Sequence, residues 1–350
     1  MAVVATGFFD GVHLGHRQVI QALVSCARER GEEAIAITFA QHPRTVLEQD
    51  AHALRLLNSP QEKEALLRAL GVDRVETLPF DRAFARLGAC EYIRDVLVAR
   101  FGATALVLGY DNRLGSDCLT PDRIKPLAEY LGLEVIIVPP ASIYEQSGSS
   151  PLQTSDCVGP LPLPAEAGPS LLRSRLEEKM SPNRGPQGLE EKPACWLRSA
   201  EGTAGTATVA VSSTKIREAL EGGDVETARA MLGYWYGLRG VVVGGKHLGR
   251  EIGYPTANLR LCDPMKLVPR RGVYLTEIEV LGERHWGMTN VDDVLETYIF
   301  DFKGDVYGAE FVVRFRHYLR EMRALDTLEA LHTQLAADEK ACRALIARSV

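Results

Sequence analysis

A chain of 350 residues with 46% hydrophobic content holds enough apolar material for two or three buried cores. Its net charge of -6 and sequence pI near 5.8 leave no basic footprint for DNA or RNA, so small anionic ligands must be caught locally, at glycine turns and single basic residues. The seven cysteines are scattered, odd in number and without a Cys-x-x-Cys pair, and no apolar run approaches the roughly 18 residues of a membrane span. We therefore expect reduced thiols in a cytoplasmic protein with neither membrane segment nor signal peptide.

The apolar run over residues 2–5 predicts a buried strand, and residues 17–30 predict a helix, with Val19, Ile20, Leu23 and Val24 at helical spacing. Between them, Gly7-Phe8-Phe9-Asp10-Gly11-Val12-His13-Leu14-Gly15-His16 sets three glycines and two histidines on a strand-to-helix turn. Helix N-termini offer unpaired N–H groups and partial positive charge, so such a turn suits a polyphosphate. His13 and His16, three residues apart, could then stabilise oxygens at a reacting phosphorus. A His-x-x-His pair also suits zinc, but zinc needs further ligands and His42 is the only other candidate nearby in sequence. Neither Gly-x-x-x-x-Gly-Lys-Ser/Thr nor Gly-x-Gly-x-x-Gly is present, which argues against a Walker ATPase and a dinucleotide-binding dehydrogenase.

Further short apolar runs at 34–39, 74–78, 105–108 and 134–138 alternate with helical patterns at 61–70 and 91–100. This alternation predicts an α/β domain with a parallel, Rossmann-like sheet over residues 1–144, whose ligand lies beyond the carboxyl ends of the strands. From 145 to 208 periodicity fades into Ser, Gly and Pro, as in a flexible insertion, with a short helix expected at 173–179. Order resumes at Val209-Ala210-Val211-Ser212-Ser213-Thr214-Lys215-Ile216-Arg217, a strand end running into a helix. Ser213 and Thr214 can cap that helix, or join Arg217 in clasping a phosphate. A second helix at 224–232 completes a connecting element over 209–232.

The remainder, 233–350, predicts a small β-barrel from strands at 237–244, 272–280, 286–290, 296–302 and 310–316. A closing helix would present Leu328, Leu331, Leu335, Cys342, Leu345 and Ile346 on one face, begun by Asp326 with Glu329 three residues later. Residues 240–246 spell Gly-x-x-x-x-Gly-Lys, but His247 stands where Ser or Thr is required. Pro255-Thr256-Ala257-Asn258 reads either as a turn or as an extended segment placing two hard oxygen donors on one side for Mg²⁺. Glu296 reads either as an exposed strand end or as a general base for a hydroxyl nucleophile.

Taken together these motifs resemble the bacterial bifunctional riboflavin kinase and FAD synthetase family. The turn from Gly7 to His16 is similar to its Gly-x-Phe-Asp-Gly-Val-His-x-Gly-His, and the stretch from Thr38 to Arg44 to its Thr-Phe-x-Pro-His-Pro. The loop from Gly109 to Gly115 resembles Gly-x-Asp-Phe-x-Phe-Gly, and Val211 to Arg217 the Ser-Ser-Thr-x-Ile-Arg element. Gly249 to Asn258 is similar to the kinase signature ending Pro-Thr-Ala-Asn, and Glu296 to Phe302 to Glu-x-x-x-x-Asp-Phe.

The resemblance implies a nucleotidyltransferase-type domain and a riboflavin-kinase-like barrel, acting on ATP, riboflavin and FMN to make FAD, with no nucleic-acid or membrane partner and with homo-oligomer formation left open. It implies catalytic roles for His13, His16 and Glu296, and Mg²⁺ at Thr256 and Asn258. ATP would be bound by Gly7, Phe8, Asp10, Gly15, Ser213, Thr214 and Arg217 and, in the barrel, by Gly249 and Gly253. Flavin would be bound by His42, Pro43, Arg44, Asp111 and Arg113. The chain departs from the pattern at Gln41, which replaces a proline, at Asn112 and Leu114, which replace aromatics, and in the short stretch 291–295 before Glu296. These departures imply looser flavin contacts and a weakened kinase. They keep open an FAD synthetase without effective kinase, or a flavin-binding regulatory protein.

Overall fold

The computed structural model describes residues 1–47, 54–144, 208–244, 253–323 and 327–349. In the first half, β1 (Ala2–Thr6) leads into α1 (Leu14–Arg30), and β2 (Glu33–Phe39) into the short α2 (Pro43–Leu47) and α3 (Pro60–Ala69). Then follow β3 (Arg74–Leu78), α4 (Ala89–Glu91) continued by a π-helical stretch (Tyr92–Arg100), β4 (Ala103–Gly109), α5 (Pro121–Tyr130) and β5 (Glu134–Val138). The five strands pair in parallel in the order β3-β2-β1-β4-β5. β1 is buried along its whole length, as a central parallel strand covered on both faces must be. Val3, Ala5 and Val107 face α1 and α3, while Val4, Ile37 and Leu106 face the π-helical stretch and α5.

The helix ends obey local chemistry. Ser59 and Glu62 form a capping box on α3, with Pro60 in its first turn. Gly31 closes α1 in the left-handed conformation that a side chain would strain. The order of strands reverses between β1 and β4, so the turn after β1 opens at the topological switch point.

β6 (Ser142–Tyr144) pairs antiparallel with β7 (Thr208–Ala210), which brings together the two ends of the expected insertion. Residues 145–207, with the helix expected at 173–179, lie outside the described residues. After β7 come α6 (Ser213–Gly222) and α7 (Val225–Leu232), which pack on each other and, through α7, on the barrel.

The barrel is built from β8 (Gly237–Val243), β9 (Thr256–Leu261), β10 (Gly272–Val280), β11 (Glu283–Val291), β12 (Leu295–Ile299) and β13 (Glu310–Arg320). It closes in the order β10-β11-β12-β9-β8-β13. β9 is a full strand, where the sequence left a choice between turn and extended segment. Its inward Ala257 and Leu259 are buried, and without it β8 and β12 would have no shared neighbour. Inside the barrel Phe311, Val313 and Phe315 alternate with outward residues as the pattern predicts. A chain of hydroxyls, Thr276 to Thr289 to Thr297 at 2.9 Å each, crosses three strands in the same core.

The last helix, α8 (Leu328–Ser349), packs Leu335, Cys342, Leu345 and Ile346 against Met288 and Phe300. Leu328, counted by periodicity in that face, is exposed. Asp326 lies outside the described residues; the hydroxyl of Thr327 accepts the Ala330 N–H at this end.

Candidate active site

The larger cleft, about 270 Å³, opens where the carboxyl ends of β1, β2, β4 and β5 meet the start of α6. Gly7, Phe8, His13, Gly15 and His16 line it from the first turn. That turn is tightly wound. Gly11 has φ +82°, and an added Cβ would meet Leu57 at 2.8 Å. Val12, β-branched, is held at φ +36°, a strained position that survives only where the surroundings fix it.

His13 is the N-cap of α1, its Nδ1 accepting the His16 N–H at 3.4 Å. The accepting Nδ1 leaves the proton of a neutral ring on Nε2. The two rings stack, with centroids 3.7 Å apart and planes 15° from parallel. Burial pushes His13 down to about 3, and nearby Arg217 and Arg17 add to the effect. Burial likewise holds His16 well below the usual range, helped by His13 and Lys63. Both rings are thus neutral hydrogen-bonding groups at pH 7. Among the described residues there is no group of three His, Cys, Asp or Glu placed to hold a metal ion.

Ser213, Thr214 and Arg217 arrive from α6, some two hundred positions later in the chain, and line the same cleft. The cap of α6 is Ser212, whose Oγ accepts the Lys215 N–H at 3.3 Å; this corrects the assignment of capping to Ser213 and Thr214. Ser213 instead donates its hydroxyl to the Asp10 carbonyl at 2.9 Å. Asp10 does not line the cleft. Its buried carboxylate pairs with Arg217 and accepts the backbone N–H groups of Leu57 at 3.0 Å and Asn58 at 3.4 Å, so its acceptor sites are spent beneath the turn.

His42, Pro43, Asp111 and Arg113 complete the cleft from the turns after β2 and β4. His42 meets the edge of Phe8 with centroids 4.5 Å apart. Burial raises the Asp111 carboxyl above its usual range, with Arg113 opposing the shift. Arg44 lies on α2. Two of the departures from the motif are stitches in the scaffold: Gln41 accepts the Phe80 N–H at 3.1 Å, and Asn112 joins the ends of β4 and β1 by accepting from Gly109 and donating to the Thr6 carbonyl. Lys63 was not foreseen. It is buried under Phe8, donates to the Phe8 carbonyl at 3.0 Å, and burial lowers it to about 8.

A second, smaller cleft of about 130 Å³ lies at the barrel, lined by Thr256 and Asn258 and by the loop carrying Phe302 and Tyr307. Thr256 and Asn258 are two apart on β9, so their side chains share a face. Directly across the ladder, Glu296 of β12 stands opposite Asn258 on one side and Asn290 of β11 on the other. The Oδ1 of Asn290 is buried and without a hydrogen-bond partner among the described residues. Val291 pairs with Leu295, so Asp292, Asp293 and Val294 alone connect β11 to β12, and Arg271 pairs with both aspartates. Gly253, at φ +81°, holds the backbone just before β9 in a conformation that favours glycine. Gly249 lies outside the described residues.

Comparison with known proteins matches each half to a flavin enzyme. The family model for FAD synthetase covers residues 1–152, and that for riboflavin kinase residues 232–346. The chain belongs to the bifunctional riboflavin kinase/FMN adenylyltransferase family. A family member from Listeria monocytogenes is 29% identical, covering 99% of this chain and 93% of the relative, and one from Escherichia coli K12 is 28% identical, covering 97% and 91%. A crystal structure described as a macrolide-efflux protein from Streptococcus pneumoniae superposes with a TM-score of 0.73 at 29% identity, covering 98% of this chain and 93% of that one. Among the described residues no helix is long and apolar enough to cross a membrane. One cleft lies in each matched half.

Proposed function

We propose that the cleft at the first turn joins FMN to AMP and that the barrel cleft makes the FMN by phosphorylating riboflavin. Residues 1–144 with 209–232 form the adenylyltransferase, 233–350 the kinase, and 145–208 an insertion between them. The observation that carries the first assignment is the convergence of the His13/His16 turn and Arg217, far apart in sequence, in one cleft at the switch point. There the FMN phosphate oxygen attacks the α-phosphorus of ATP, the bond to the bridging oxygen breaks, and pyrophosphate leaves. The nucleophile is already anionic, so the site needs no base. His13 and His16 donate hydrogen bonds to the oxygens that gain charge, and Ser213 through its backbone N–H at the start of α6, with Thr214 and Arg217, holds the departing pyrophosphate. His42, Pro43, Asp111 and Arg113 face the flavin end of the cleft.

In the barrel, the register of β9 on β12 supports Glu296 as the base that takes the ribityl hydroxyl proton while that oxygen attacks the γ-phosphorus and ADP departs. Thr256 and Asn258 supply a hydroxyl and an amide oxygen on one strand face, a hard donor pair that fits Mg²⁺ carried in with the phosphates of ATP. When bound, Mg²⁺ neutralises phosphate charge. Cys26, Cys90, Cys262 and Cys342 are free thiols, in keeping with a cytoplasmic enzyme acting on small molecules.

The test is purified protein with Mg²⁺-ATP and either riboflavin or FMN, the products separated by chromatography. FMN from riboflavin and FAD from FMN are both expected. FAD from FMN without any FMN from riboflavin would leave only the adenylyltransferase half standing.

A further inference from the structure

Arg217 is fixed by two anchors, and both depend on one short stretch of chain. Its Nη2 pairs with the Asp10 carboxylate, which in turn accepts the Leu57 and Asn58 N–H groups, while its Nε donates to the Arg55 carbonyl at 2.9 Å. The remaining donors of the guanidinium stay available to phosphate oxygens. Residues 55–58 therefore act as a strap across the back of the cleft.

The other edge of the strap is held by the barrel's half of the chain. Leu56 donates its N–H to the Met265 carbonyl and accepts the Leu267 N–H, both at 2.8 Å, forming a bridge opposite Lys266. Arg55 also donates to the Pro264 carbonyl at 3.1 Å. Lys266, only 6% exposed, pairs with both carboxylate oxygens of Glu62, the residue that closes the capping box just after the strap. β9, which carries Thr256 and Asn258, ends at Leu261 and runs directly into this segment.

We infer that Lys266, although it belongs to the barrel, is a positioning residue for adenylyl transfer, holding the strap from which Asp10 and the Arg55 carbonyl aim Arg217. A long arginine side chain loses its place when its anchors shift, and misplacement of about 1 Å can cost up to about a hundredfold in rate. Removing Lys266 leaves Glu62 half-buried without its cation, so the strap must readjust to let water reach it. Both anchors of Arg217 then move together. The inference rests on reading the His13/His16 cleft as the adenylyl-transfer site.

The experiment is steady-state kinetics of both activities in full-length Lys266→Met and Lys266→Arg, with thermal melting alongside. In Lys266→Met, kcat/KM for ATP in FAD formation should fall about tenfold while riboflavin phosphorylation stays within about twofold, and Lys266→Arg should recover most of the loss. Unchanged FAD formation in Lys266→Met overturns the inference. So does an equal loss of both activities with a lowered Tm, which would give the pair a structural role alone. A Glu62→Lys/Lys266→Glu exchange keeps the question decidable if Lys266→Met folds poorly: restored folding should bring FAD formation back with it, and restored folding with FAD formation still lost would overturn the inference. Should His16→Ala leave FAD formation untouched, the site reading fails rather than the strap.

Discussion

The first cleft is assembled from turns that follow four parallel strands and from the start of α6, whereas the barrel's candidate residues sit within two paired strands. In the first, placement is indirect: Asp10, Lys63, Leu57 and Asn58 are buried props that set the backbone and Arg217, and the groups facing the cleft include neutral rings, hydroxyls, Asp111 and two arginines, Arg113 and Arg217. In the barrel, ladder register alone sets Glu296 opposite Asn258 and Thr256 two pairs further along, on the same face. A reaction whose nucleophile is already anionic can be run by positioning and hydrogen bonding. A reaction that must ionise a hydroxyl needs a carboxylate at a fixed register.

That contrast is broken most directly by exchanging the two chemistries' key groups. Glu296→Gln keeps the shape and removes the base, so riboflavin phosphorylation should fall by about 10²–10⁴ while FAD formation from FMN is unchanged. His16→Ala should do the reverse, lowering FAD formation by about 10²–10³ and sparing the kinase, because it removes a preorganised donor from the cleft. Chromatographic assays of the two half-reactions measure both. If either variant lost both activities, the two clefts would not be separate sites.

Much of this division could be read from the residues. The central parallel strands appear as apolar runs because they are buried on both faces, and the first turn is marked by its glycines, of which Gly11 takes a left-handed backbone. β9 was ambiguous because Gly253 and Pro255 punctuate the chain like a turn, although Ala257 and Leu259 alternate as a half-buried strand should. Asp10 could be seen as part of the turn but not as a buried prop, since its partners Leu57, Asn58 and Arg217 are distant in sequence. Lys63 and Lys266 leave no local signal, because their burial is created only when α3, the first turn and the barrel meet. Ser212 could have been found: it is the last residue before the helical pattern, where a cap belongs.

The first cleft should also be recognisable by its acid response. His13 lies at about 3 in the folded protein against 6.5 for a free ring, so below pH 6.5 the unfolded chain takes up a proton that the folded chain refuses. Stability is then lost as pH falls from 6.5 toward 3, by up to about 1.4 kcal/mol per unit for one ring. His13→Asn keeps a good capping side chain and removes the titrating group. Its stability should therefore fall less steeply, the difference in slope amounting to about 1–2 kcal/mol between pH 6.5 and 5. Melting curves across that range measure it, and parallel curves for the two proteins would show that His13 is not held neutral by burial.

The smallest effects separate two adjacent serines. Ser212 caps α6 by accepting the Lys215 N–H, a bond within the helix end, so Ser212→Ala should cost about 1 kcal/mol of stability and Ser212→Asn should restore most of it. Ser213 spends its hydroxyl hydrogen on the Asp10 carbonyl, which ties the start of α6, at the edge of the cleft, to the turn that carries His13 and His16. Ser213→Ala should therefore show itself in kcat/KM for ATP during FAD formation, a loss of about fivefold, the equivalent of one ordinary hydrogen bond. Melting temperature and adenylyl-transfer kinetics on the two alanine variants give the comparison. If Ser213→Ala lowered only the melting temperature and Ser212→Ala only the kinetics, the two roles would be reversed, with the phosphate clasp one residue earlier on α6.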